Sequence, residues 1–271
     1  MSDWQPRTAV IVGGASGIGL AVAKRLVSYG TQVMLADVPG DRLDEAAREI
    51  GALMQPCDVS DLAQVEGLAE AAFEQLGTVD LLLNNAGVAG VHGKMWEVDP
   101  ELARKHFDVN FWGIWNGCRA FAPRMIAQDT PSAIYNTGSE NSFFCAVPRT
   151  AAYIAGKHAV LGLTESLRED VPPHVHVGLI IPGWVFTPLG EERFMKFGMD
   201  VGEYAAIITP QIISRERFVV SHRSNVKRIK ERIDPLLEAY EKSAPEDLDD
   251  GNYDVRDVLR ALTEKPDAAD D

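Results

Sequence analysis

The sequence predicts an α/β protein, a single doubly wound parallel sheet with helices on both faces and a helical extension at the C-terminus. Three observations carry that reading. Short apolar runs alternate with helical patterns through the first two thirds of the 271 residues. The first run passes into the first helical pattern through a glycine-rich turn, GGASGIG, from Gly13 to Gly19. No internal repeat and no Pro/Gly/Ser-rich linker divides the series.

Taken in order, TAVIVGG reads as a strand, GIGLAVAKRLVSYG as a helix, QVMLADV as a strand and DRLDEAAREIG as a helix. LMQPCDV, DLAQVEGLAEAAFEQLG and VDLLLNNAG continue the alternation. A long helical stretch runs from about Pro100 to Ile126, followed by SAIYNTGS, a helix that begins AAYIAGK, and the strand HVHVGLIIPG. Strands that are apolar throughout belong to parallel sheets, because helices cover both of their faces. From Pro182 the rhythm changes. PGWVFTPLGEERFMKFGMDVGEYAAIITPQII is apolar and aromatic without a strand signature, RFVVSH is one more strand, and NVKRIKERIDPLLEAYEK is an amphipathic helix interrupted at Pro235. Residues 1–243 form one domain in this reading. Residues 244–271 form an acidic, loosely held tail in which DVRDVLRAL is a short helix.

A net charge of −14 repels nucleic acid and anionic membranes. The three cysteines, Cys57, Cys118 and Cys145, are widely spaced, which suits a reducing compartment. MSDWQPRTAVIV lacks a signal-peptide pattern and no run reaches transmembrane length, so a cytoplasmic protein is expected. The six histidines form no metal constellation; His174 and His176 share a strand face but lack a third ligand, and no catalytic metal is expected.

Glycines are required at Gly13, Gly17 and Gly19 so that the chain turns tightly, a phosphate meets bare backbone and the helix packs closely on the strand. The helix N-terminus at Ser16, Gly17, Ile18 and Gly19 offers N–H groups and a positive dipole end to an anion. Asp37 ends the second strand, where a carboxylate accepts from a ribose hydroxyl and repels a 2′-phosphate, favouring NAD over NADP. Arg42 lies close in sequence and weakens that preference. Asp58, in CDV, would meet an adenine amino group, and Asn84, Asn85, Ala86 and Gly87 mark the same rim of the sheet.

Tyr153 and Lys157, four residues apart, share one helix face. Free tyrosine has a pKa of about 10. An adjacent ammonium, with an oxidised nicotinamide nearby, would stabilise the phenolate, and Tyr153 would then exchange a proton with a substrate oxygen. Ser139, just past a strand end, would hold that oxygen as charge develops, with Ser142 a second candidate.

These residues resemble the short-chain dehydrogenase/reductase family. GGASGIG, Asp37, Asp58-Val59, NNAG (84–87), Asn110 in DVNFWG, Ser139, YIAGK (153–157) and PGWVFT (182–187) carry the likeness in the family's order. The resemblance implies a Rossmann-type fold, NAD as cofactor and Asn110, Ser139, Tyr153 and Lys157 as the catalytic group. Asn110 would hold a water linking Lys157 to solvent. Asp37, Asp58, Val59, Asn85, Ala86, Gly87, Tyr153, Lys157, Pro182, Gly183, Val185 and Thr187 would join the glycine turn in holding the cofactor. Ser139 and Tyr153 stand one residue further apart than is usual, and the usual glycine-rich ending is replaced by a charged helix. That ending, with VNFWGIWNGCRAFAPRMI, is similar to a branch containing aryl-ether Cα-dehydrogenases and related secondary alcohol dehydrogenases.

Residues 189–215 follow the nicotinamide contacts and read as a mobile lid. Ser139, Cys145, Trp184, Phe194 and Phe197 are the expected pocket residues, joined by further aromatic and apolar neighbours such as Phe186 and Trp96. Such a pocket suits a bulky hydrophobic, aromatic secondary alcohol and its ketone. A hydroxysteroid or terpenoid alcohol is the alternative substrate, and a non-catalytic NAD sensor the alternative class. Small residues of the Tyr153 helix allow close packing, so a homodimer or homotetramer is expected.

Overall fold

The computed structural model describes residues 4–190, 192–245 and 254–263, without the side chains of Glu192 and Phe194. Contacts group the chain into one unit up to Ile229 and a second from Lys230 onward.

The first unit is built on seven parallel strands: β1 (Thr8–Val12), β2 (Gln32–Asp37), β3 (Leu53–Pro56), β4 (Leu81–Asn84), β5 (Ser132–Thr137), β6 (Val175–Ile181) and β7 (Phe218–Val220). Their order is β3-β2-β1-β4-β5-β6-β7, so the connections reverse direction beside β1. Such a reversal opens a crevice at the carboxyl ends of the strands. β1, β4 and β5 are buried at every position, which is why each reads as a near-continuous apolar run.

Two hydrophobic clusters fill the two faces. One joins Val10, Met34, Leu82 and Ile134 to α3 (Leu62–Leu76) and α5 (Gly113–Ala127). The other joins Ile11, Leu35, Leu81 and Tyr135 to α1 (Gly17–Ser28), α2 (Asp41–Ile50) and α8 (Val201–Ile213). Tyr204, Ala205, Ile208 and Ile212 of α8 are fully buried. This corrects the expected lid of 189–215: the part from Val201 is core, because its apolar face packs under the sheet with α1. The described side chains between Leu189 and Asp200 are half-buried or exposed.

The predicted helix from Pro100 to Ile126 is not continuous. α4 (Pro100–Phe107) passes through one wide π turn, Asp108–Trp112, before α5 begins. Such a turn adds a residue to the helical circuit and commonly marks a functional site. α6 (Ala151–Asp170) carries YIAGK in its first two turns, and the short α7 (Glu192–Met195) precedes α8. α9 (Asn225–Ser243) runs on through Pro235 instead of stopping there. On an exposed helix the carbonyl that loses its N–H partner is met by water, so proline there need not break the helix. α10 (Val255–Thr263) matches the short helix expected in the tail. The remainder of the 244–271 segment, apart from residues 244 and 245 and the described stretch 254–263, lies outside the described residues.

Candidate active site

Strand register collects the chemistry at one edge. Val12 pairs with Asn84, Asn84 with Asn136, and Ala36 stands beside Val12, so the segments that follow these strands leave the sheet together. Gly13 has φ +76° and a Cβ there would lie 2.5 Å from Ala86 backbone atoms. A Cβ on Gly19 would lie 2.2 Å from the Gly13 carbonyl oxygen. The glycine turn is therefore pressed against the NNAG rim and against its own helix. Asn85 fastens this contact, its amide donating to the Gly13 carbonyl (3.1 Å) and its oxygen accepting from the Thr137 hydroxyl (3.2 Å).

Ser16 caps α1 without a side-chain hydrogen bond, and no acidic residue occupies the first turn of the helix. N–H groups at such a terminus have no helical partner, and the dipole is positive there. Thr187 reaches over this end: a Cβ on Gly17 would stand 3.4 Å from its Cβ. Asp37 accepts from the Ala15 N–H (3.0 Å) and the Val38 N–H (2.9 Å). Beside it lies a cleft of about 310 Å³ lined by Ala15, Asp37, Val38, Pro39, Gly40, Asp41 and Arg42. Arg42, which the sequence could only place nearby, shares that cleft. Asp58 accepts from the N–H and hydroxyl of Ser60, while the Val59 side chain is buried against Gly113, leaving only its backbone for a ligand.

Tyr153 and Lys157 face the end of β5. Lys157 is 5% exposed and its ammonium donates to the Thr137 carbonyl (2.8 Å), with its nitrogen 5.8 Å from the Tyr153 ring centroid. Burial lowers its pKa to about 8. Burial raises that of Tyr153, Ser139 hydrogen-bonds the phenol and pulls it down, and the Glu140 carboxylate pushes it up. The protein's own groups thus raise the phenol's pKa, whereas the lowering expected from the sequence rests also on an oxidised nicotinamide beside it. Lys157 holds the Thr137 carbonyl with one of its three N–H groups, and among the neighbours of the phenol burial has the largest effect.

Of the two candidate serines, Ser139 is the one beside Tyr153. Ser142 is fully buried and its hydroxyl donates to the Lys157 carbonyl (2.7 Å). The Ser139 hydroxyl accepts from the Asn141 N–H (3.1 Å) at the head of a short 3₁₀ turn, Glu140–Ser142. That turn is tied to the loop that follows β6, with the Glu140 N–H donating to the Pro182 carbonyl (2.9 Å). Within this loop Val185 is buried, and Gly183 has no room for a Cβ because the His222 ring begins 2.6 Å from where it would be. Asn110 lies in the π turn, almost fully buried; its amide donates to the Val88 (3.2 Å) and His106 (3.0 Å) carbonyls, and its oxygen accepts from the Val88 N–H (3.2 Å). His106, which the sequence gave no reason to single out, is buried between Asn110 and Tyr153.

Trp184 is 43% exposed and Phe197 is 78% exposed, and Cys145 is exposed as well. The Phe194 side chain lies outside the described residues. Backbone bonds from Phe186 to Met199 and from Met199 to Trp184 (both 2.8 Å) fasten the end of the 189–200 stretch to the loop that carries Val185 and Thr187. His174 and His176, expected on one face, meet different carbonyls, those of Ile126 and Glu216. No helix among the described residues is long and apolar enough to cross a membrane.

A family model described as short chain dehydrogenase matches residues 7–196. The 1-deoxy-11-beta-hydroxypentalenate dehydrogenase of Streptomyces arenae is 41% identical over 249 residues, 86% of this chain and 88% of that protein. The 2-(R)-hydroxypropyl-CoM dehydrogenase of Xanthobacter autotrophicus is 35% identical over 196 residues, 69% of this chain and 78% of that protein. Among solved structures, a short chain dehydrogenase/reductase from Burkholderia phymatum in complex with NAD superposes with a TM-score of 0.82 at 29% identity, covering 92% of this chain and 100% of that one. The family match spans β1 to β6, the glycine turn and the Tyr153 helix, and the chain belongs to the short-chain dehydrogenase/reductase family, as an oxidoreductase acting on alcohols and their carbonyl counterparts.

Proposed function

We propose that the protein is an NAD-dependent dehydrogenase of a bulky hydrophobic, aromatic secondary alcohol, able to reduce the corresponding ketone. The observation that carries the chemistry is the enclosure of Ser139, Tyr153 and Lys157 at the carboxyl edge of the sheet that also carries a turn with no room for a Cβ at Gly13 or Gly19. Gly13, Ser16, Gly17, Ile18 and Gly19 fit a dinucleotide pyrophosphate, because Gly13 and Gly19 let the turn pack closely on the rim and on its own helix, and the N-terminus of α1 has neither a capping side chain nor an acid in its first turn. Asn85, Ala86, Gly87, Asp58 and Val59 line the rim, and Pro182, Gly183, Val185 and Thr187 form the loop on the nicotinamide side. Bound there, the dinucleotide supplies the hydride acceptor or donor.

Tyr153 takes the proton of the substrate hydroxyl during oxidation and returns it during reduction. Ser139 donates to the substrate oxygen as negative charge develops. Lys157 keeps a cation under the phenol, and Asn110 positions the water through which Lys157 reaches solvent. A pure NAD sensor needs none of this proton path.

Screening secondary alcohols with NAD and following reduced nicotinamide tests this reading. Since burial raises the Tyr153 pKa, oxidation kcat/KM should climb between about pH 6 and 8, while ketone reduction, which needs the protonated phenol, stays high at the lower end. An oxidation rate that falls over that interval removes Tyr153 as the base. The hydroxypentalenate relative, by its name a hydroxylated carboxylate, supports a second reading in which the substrate is a terpenoid or hydroxysteroid alcohol. Panels of aryl carbinols and of alicyclic alcohols separate the two.

The preference for NAD rests on Asp37. Asp37→Ala removes the charge that repels a 2′-phosphate and leaves Arg42 in the same cleft to attract one. The ratio of kcat/KM for NAD to that for NADP should fall at least about tenfold, a differential near 1.4 kcal/mol. An unchanged ratio would take Asp37 out of the argument.

Self-association through the helices around Asn110 and Tyr153 is part of this proposal. Trp112 and Trp115, 46% and 42% exposed, form an aromatic cluster with Phe111, and a Cβ on Gly162 of α6 would meet nothing within 4 Å. Exposed aromatics beside small residues are what a second helix pair would cover.

A further inference from the structure

We propose that His106 is a positioning residue for the proton path, a neutral imidazole that fixes the Tyr153 ring and the Asn110 amide relative to each other. This rests on the proposed role of Tyr153.

His106 closes the last turn of α4, immediately before the π turn, and is 3% exposed. Its ring centroid lies 5.8 Å from that of Tyr153 with the planes at 53°. The Asn110 amide nitrogen stands 3.2 and 3.3 Å from the two ring nitrogens. The rim segment lies on the same side, where an imidazole N–H donates to the Ala89 carbonyl. A Cβ on Gly90, one residue later, would stand 2.7 Å from the Tyr153 Cβ. The tyrosine is thus held between the rim and His106, and His106 is bonded to both the rim and the π turn.

That arrangement suits one protonation state. A neutral imidazole donates from one nitrogen to Ala89 and turns an unprotonated nitrogen to the Asn110 amide, whose two N–H groups are shared between the ring and the Val88 and His106 carbonyls. A protonated ring has two donors, so one would face the N–H of Asn110 with nothing to accept. The titratable groups that face it come from α6: the Lys157 ammonium, which disfavours a second cation, and the neutral Tyr153 phenol. Gly87, Val88, Ala89 and Gly90 of the rim carry no charge, and Glu140 approaches Tyr153 from the 3₁₀ turn. Burial and Lys157 both hold the His106 pKa below the usual histidine value, so the neutral form persists down to mildly acid pH. Protonation then breaks the Asn110 contact.

The test compares wild type, His106→Phe and His106→Gln in ketone reduction with NADH. Phenylalanine keeps a ring against Tyr153 but can bond neither Ala89 nor Asn110; we expect kcat to drop about tenfold, with NADH affinity by fluorescence within about twofold, as for a small misplacement of a reacting group. Glutamine restores a neutral donor and acceptor and should recover most of kcat. Reduction by wild type should fall on the acid side of the ordinary histidine pKa of about 6.5, although a protonated Tyr153 favours acid, and His106→Gln should stay level over that range. Wild-type kcat in His106→Phe, parallel loss of kcat and NADH binding in both variants, or an unchanged acid fall in His106→Gln would each overturn the assignment. If Tyr153→Phe turns over like wild type, the proposed chemistry fails instead, whatever the His106 variants do.

Discussion

Tyr153→Phe should bind NADH as the wild type does and lose about 10³-fold in turnover in both directions. The substitution removes one oxygen from a ring whose carbon framework is fixed by neighbours that do not depend on it. The Tyr153 Cβ abuts Gly90, the His106 ring lies against its face and Lys157 holds Thr137 independently of the phenol. Stability should change little, because the phenol makes only the Ser139 bond. What disappears is the one group able to exchange a proton where Ser139 would hold the substrate oxygen. Fluorescence titration with NADH and initial rates with the best alcohol from the panel measure the two halves. A variant retaining a tenth of wild-type turnover would mean that another acid carries the proton.

Gly13→Ala should unfold far more easily than the wild type and fail to bind the dinucleotide. Two costs coincide. A left-handed backbone at φ +76° is unfavourable for alanine, and its methyl group would lie 2.5 Å from the backbone nitrogen and Cα of Ala86. Backbone cannot swing aside as the tip of a lysine can. Overpacking of about 1–3 kcal/mol added to about 1–2 kcal/mol for the left-handed residue gives a loss of about 3 kcal/mol. The midpoint of urea unfolding reads the first effect and NADH fluorescence the second. Normal values of both would show that the glycine turn and the NNAG rim are not pressed together. Gly30, whose added Cβ would meet nothing within 4 Å, is a suitable control for crowding.

Why were the strands, the glycine turn and the Tyr153–Lys157 pair readable from the chain alone? Each is a local pattern with a local cause. Strands covered on both faces must be apolar throughout, a tight turn against a helix must be glycine, and side chains four apart on a helix must share a face. The π turn at Asn110 leaves no such trace, since one extra residue in a long helical stretch barely disturbs its periodicity. The residues from Val201 were read as lid because an apolar, aromatic run looks the same whether it covers a substrate or a core; only the burial of Tyr204 and Ile208 separates the two. The acidity of Tyr153 depends on the balance of desolvation against nearby charge, and spacing says nothing about how deeply a phenol is enclosed. His106 was invisible for a related reason. A histidine in the last turn of a helix usually answers the helix dipole, and its place behind Tyr153 arises only when α4 and α6 meet.

Ser142 was set aside as a reactive group, yet its hydroxyl joins the turn that carries Ser139 to the backbone of Lys157. Because Glu140 also binds Pro182, the reacting side chains sit on a floor that cannot be reshaped piece by piece. Under the proposed function, variation in what the enzyme accepts would fall to exposed residues around this floor, such as Trp184, Phe197 and Cys145. An exchange of those residues between relatives would alter substrate choice while inheriting the chemistry intact, a modular division through which one scaffold can diversify.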